Sequence, residues 1–173
     1  MAQRYAKRVV NMSAKREPIK LHEIGLGAGH VVWGFRAAAI SHADCLTLIK
    51  GFENILSAYG RPALNAITVL AHVLGRMGAR KLAIACPGCA FVTADELSLV
   101  ALLSALQSED DDLADAHLAW LMIGRGEEDA RDAARRVAAI FWAGRVTIDP
   151  PPVEISTPTR YSSAPTLHAA GHA

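Results

Sequence analysis

Apolar residues recur at three- and four-residue intervals through most of this chain, with glycines and prolines between the runs. That spacing is the one an amphipathic helix presents. Residues 30–41, with Val31, Val32, Trp33, Phe35 and Ala37 to Ile40, are apolar on most sides, which predicts a central helix. Ser41, His42 and Asp44 offer a start for a second helix. Leu48, Ile49, Phe52, Ile55, Leu56 and Tyr59 carry it as far as Gly60. Pro62 suits the first turn of a third helix. Its stripe is Leu64, Ile67, Leu70, Val73, Leu74 and Met77, closed by Gly78.

Thr93-Ala94-Asp95-Glu96 has the form of a capping box, which opens a fourth helix running to about Gln107. Asp110, Asp111 and Asp112 put negative charge where a fifth helix begins, as the helix dipole favours. Residues 127–143 form the sixth, with Ala130, Ala134, Val137, Ile140 and Phe141 inward. Lys81 to Ala85 and Val146 to Ile148 are too short for helices and are expected to be extended, with the length for one short two-stranded pairing. The predicted fold is therefore all-α, an irregular bundle of about six helices. It occupies residues 22–149, between a basic flexible tail over 1–21 and a Pro/Ser/Thr-rich disordered tail over 150–173.

Composition narrows the function classes. The chain has 173 residues, 51% of them hydrophobic, and a formal net charge of +1. No global field points to nucleic acid or to an acidic substrate. The local exception is the N-terminal tail, where Arg4, Lys7, Arg8, Lys15, Arg16 and Lys20 face Glu17 alone. Nucleic-acid binding through that tail is one reading. No segment has the length and apolarity of a membrane span, and no secretory h-region follows the basic start. A cytoplasmic location is expected, where paired cysteines signal metal or redox chemistry more often than a structural bridge.

The sharpest motif is Cys86-Pro87-Gly88-Cys89. Two thiols at this spacing can hold one side of a zinc site. His42-x-x-Cys45 would complete four ligands, so Cys86, Cys89, Cys45 and His42 are the candidate zinc residues. The same motif between an extended run and a helix is also a thiol-redox pattern. Pro87-Gly88 equally suits the centre of a tight turn. Gly25-Leu26-Gly27-Ala28-Gly29 falls short of a dinucleotide fingerprint, because His30 stands where the third glycine belongs; a glycine hinge between tail and bundle is expected instead. His72 and His117 read as packed histidines.

Arg36, on so apolar a helix, implies either a buried ion pair, with Glu53 as one candidate partner, or a face covered by another subunit. No complete catalytic motif is present. The excess of apolar helical surface favours a binding or regulatory protein acting through a protein partner or as a homo-oligomer. A zinc-binding or thiol-redox role at the CPGC turn is the alternative.

Overall fold

The computed structural model describes residues 18–123 and 126–152. The fold is all-α, and the described residues contain no strand. Its helices are α1 (Leu26–Ala39), α2 (Leu46–Leu56), α3 (Gly60–Met77), α4 (Ala94–Gln107), α5 (Asp111–Met122) and α6 (Glu127–Ala143). Short 3-10 turns cover Leu21–Glu23 and Ser57–Tyr59. α3 lies along α6, α4 lies along both α5 and α6, and α2 packs on α3. None of these helices is long and apolar enough to cross a membrane. The expected tails fall largely outside the described residues.

α1 is central, as its apolarity predicts. Val31, Val32, Phe35, Ala37 and Ala38 are all buried, and the helix meets both α3 and α4. Gly34 leaves space for the Phe52 ring of α2, since a Cβ there would come within 2.8 Å of it. Phe52 in turn meets Phe141 of α6 edge-to-face at 6.3 Å. Both rings are fully buried. This geometry is the favourable one for two ring quadrupoles.

Four local expectations change. The glycine run is not a hinge. Gly27, Ala28 and Gly29 are the first turns of α1, because a Cβ at Gly27 would run into the Thr147 carbonyl. The second helix starts later than Ser41, with Cys45 as its N-cap. It also ends before Gly60, at Leu56, where Ser57 takes φ 51°. Gly60 instead opens α3, where a side chain would strike the Phe52–Glu53 backbone.

The fourth change concerns the short pairing. Val146–Ile148 does not join Leu82–Ala85. The Gln107 side-chain amide donates to the Val146 carbonyl and accepts from the Ile148 amide. A single antiparallel bridge links Lys20 to Phe91 instead, with Leu21 donating to Ala90 and Val92 donating to Ile19.

A disulfide turn held by a buried ion pair

Residues 78–93 connect α3 to α4 without helix or strand, apart from the bridge at Phe91. A connection this long inside a compact domain needs an explanation. Its backbone polar groups need partners too, and the first turn of α4 supplies them. The capping box forms as predicted: Thr93 Oγ1 accepts from the Glu96 amide, and Glu96 Oε2 accepts from the Thr93 amide.

Asp95 and Glu96 then reach beyond their own helix. Asp95 accepts from the Ala83 amide at 2.7 Å, and Glu96 accepts from the Ala85 amide at 3.1 Å. Thr93 Oγ1 donates to the Ala83 carbonyl. Upstream, Ala79 donates to the Met122 carbonyl. Arg80 lies over the Trp120 ring and grips Asp95 with both terminal nitrogens, at 2.6 and 2.8 Å. That grip holds the Asp95 carboxyl below the usual carboxylate range, against the opposing push of burial, and it raises Arg80.

Arg36 secures the other half of the loop. Its side chain is fully buried, and it forms a bidentate pair with the equally buried Glu96. Its remaining donors bond the carbonyls of Cys89 and Phe91, each at 2.7 Å. A guanidinium suits this post because its donors fork in fixed directions. Arg36 is thus the buried pair foreseen on α1, but its partner is Glu96. Glu53 pairs at the surface with Arg61. Glu96 was visible in the sequence only as a capping residue; nothing local to it signals the long-range bond.

Between Ala85 and Phe91 the chain makes its turn. Cys89 donates to the Cys86 carbonyl at 2.9 Å, with Pro87 and Gly88 at the centre. Cys86 and Cys89 are joined as a disulfide, their Cα atoms 5.3 Å apart. Cys86 is exposed and Cys89 half-buried. Nothing crowds Gly88, and Phe91 is exposed beside the turn.

The other candidate ligands lie apart from this turn. Cys45 carries a free, exposed thiol at the start of α2. The amides of Leu48 and Thr47 pull that thiol below its usual range. His42 places Nδ1 2.7 Å from the Ile40 carbonyl. Among the described residues no three His, Cys, Asp or Glu side chains gather as a metal site would need. His117 is buried, sharing a 2.9 Å hydrogen bond with Ser98, and burial lowers its pKa. His72 is exposed rather than packed.

No family model, curated protein or solved structure matches the chain.

Proposed function

We propose that Cys86 and Cys89 form a thiol–disulfide exchange centre. The observation that carries this reading is the fixing of an exposed Cys-x-x-Cys turn from both sides by one buried ion pair. Glu96 holds the residue before Cys86, and Arg36 holds Cys89 itself. Fixed flanks keep the two sulfurs near each other in the reduced state, so ring closure costs little chain entropy.

The exposure difference assigns the roles. A thiolate of a protein dithiol attacks Sγ of Cys86, the more exposed of the two cysteines. The Cys86–Cys89 bond breaks, Cys89 leaves as a thiolate and takes up a proton, and a mixed disulfide remains on Cys86. The partner's second thiolate then attacks its own sulfur in that mixed disulfide and releases Cys86. This chain gains two electrons and two protons, and the partner dithiol becomes a disulfide.

The test is equilibration in dithiothreitol or glutathione buffers, with alkylation and mass spectrometry to count closed rings. The expected midpoint lies between about −180 and −270 mV, where exchange proteins work. A midpoint below about −300 mV would mark a bridge that only braces the loop, and the proposal would fail.

The reading through an apolar helical surface draws on Leu26, Leu46 and Trp142, which are 62%, 70% and 65% exposed. They belong to three different helices. The disulfide turn is preferred because it brings together a reactive group and a dedicated support. Zinc binding would need Cys45 and His42 gathered beside the turn, and no such cluster of ligands forms among the described residues; the basic tail of the nucleic-acid reading lies almost wholly outside the described residues.

A further inference from the structure

We infer that a cleft beside the disulfide turn binds an extended peptide segment, apolar and acidic, of the protein that exchanges with Cys86–Cys89. Its role as a substrate site rests on the redox reading above; the binding itself does not. The cleft holds about 660 Å³ between the end of α1, the last turns of α3 and residues 78–84.

Its chemistry is one-sided. Phe35, Leu74, Leu82 and Ile84 give apolar walls, while Arg76, Arg80 and Lys81 bring positive charge, and no Asp or Glu lines it. Arg80 is already paired with Asp95. Arg76 and Lys81 have no acidic partner within 4 Å among the described residues. A ligand with carboxylates flanking apolar side chains complements this surface.

The backbone selects a peptide. The amides of Ala83 and Ala85 both face the start of α4. Alternate residues turned to one side mark an extended course. The alternate residues Leu82 and Ile84 make no main-chain hydrogen bond among the described residues, yet both line the cleft. They offer an edge to which a peptide strand can add, with side-chain pockets alongside. That edge leads directly to Cys86.

Gly75 points the same way. A glycine inside a helix is destabilising relative to alanine. Yet a Cβ at Gly75 would meet nothing within 4 Å, so no packing inside the protein demands it. Gly75 lines the cleft, so a side chain there would take up its space.

The test uses fluorescein-labelled acetyl-Glu-Val-Glu-Val-Glu-Val-amide and its lysine counterpart, with fluorescence anisotropy on the full chain. The acidic peptide should bind in the micromolar range, and the lysine peptide at least about tenfold more weakly. Gly75→Trp, which fills the cleft, should weaken the acidic peptide about tenfold or more, and so should Arg76→Glu combined with Lys81→Glu. Equal affinity for the two peptides, or affinity unmoved by both variants, overturns the assignment. So does displacement by millimolar octanoate of a peptide whose backbone amides have been methylated without loss of affinity, which would identify a site for small amphiphiles. The assay contains no thiol. Failed peptide binding with a midpoint potential in the exchange range removes the cleft alone, whereas peptide binding with an unexchangeable disulfide removes the redox reading alone.

Discussion

Replacing Arg36 by Met should be among the most damaging single changes in this protein. The guanidinium is fully buried, and its loss leaves the Glu96 carboxylate in a site that is 1% exposed. Breaking one side of such a pair costs about 3–5 kcal/mol. The Cys89 and Phe91 carbonyls lose their donors as well, at a net cost of about 0.5–1.5 kcal/mol each. Together these come to about 4–8 kcal/mol, which spans the lower end of ordinary domain stability, about 5 kcal/mol. Arg36→Lys is the milder probe, because one ammonium keeps the charge but cannot span Glu96 and two carbonyls; the loss of about two hydrogen bonds gives roughly 2 kcal/mol.

The double change Arg36→Met with Glu96→Leu isolates what this pair does beyond pairing. Many buried ion pairs can be replaced by apolar residues at no cost. Here the Ala85 and Thr93 amides would also be stranded, so the double variant should stay about 2–5 kcal/mol below the parent. Urea unfolding followed by far-UV circular dichroism, with the disulfide intact, measures both. In a thermal scan each kcal/mol moves Tm by about 2–4 °C for a chain of this size. A double variant as stable as the parent, or an Arg36→Met loss below about 1 kcal/mol, would refute the idea that the pair holds the loop.

Two further outcomes follow from titration. Burial lowers the His117 pKa, so the folded state binds fewer protons than the unfolded chain just below the usual value of about 6.5. Its stabilising contribution is present above about pH 6.5 and declines as pH falls towards the folded value. Asp95 is also depressed, by Arg80, so its contribution is present above about pH 3.9 and is lost as pH falls through its lower folded value. Urea midpoints should therefore drop in two acid stages, and His117→Gln should remove only the upper one; an unchanged upper stage in that variant would contradict the assignment. The lowered Cys45 thiol should take up iodoacetamide rapidly at neutral pH in the oxidised protein, giving one labelled cysteine, whereas reduction should expose all three. Labelling of Cys45 no faster than that of a free peptide thiol would count against it.

Local signals in the sequence were reliable where one stretch of chain satisfies its own needs. The apolar periodicity of α3 and α6, the Thr93–Glu96 capping box and the acidic start of α5 each act within a few residues, so each could be read directly. The Pro87-Gly88 turn was legible for the same reason. The glycines were misleading because their need lies elsewhere: Gly27 answers the Thr147 carbonyl, and Gly60 the backbone of α2. Val146–Ile148 reads in the sequence as a segment free to pair as a strand, because nothing local reveals that the Gln107 amide satisfies its backbone.

The sequence by itself determined that this chain folds as helices, that Arg36 required a buried partner if its face was covered, and that two cysteines shared a turn. The choice of Glu96 over Glu53 as that partner came only from the tertiary structure, as did the anchoring of the cysteine turn to the resulting pair. The physical reason is range. Helical periodicity and capping are settled by neighbours along the chain, whereas a buried charge is settled by whichever opposite charge the packing brings within hydrogen-bond reach, here from a helix far along the sequence.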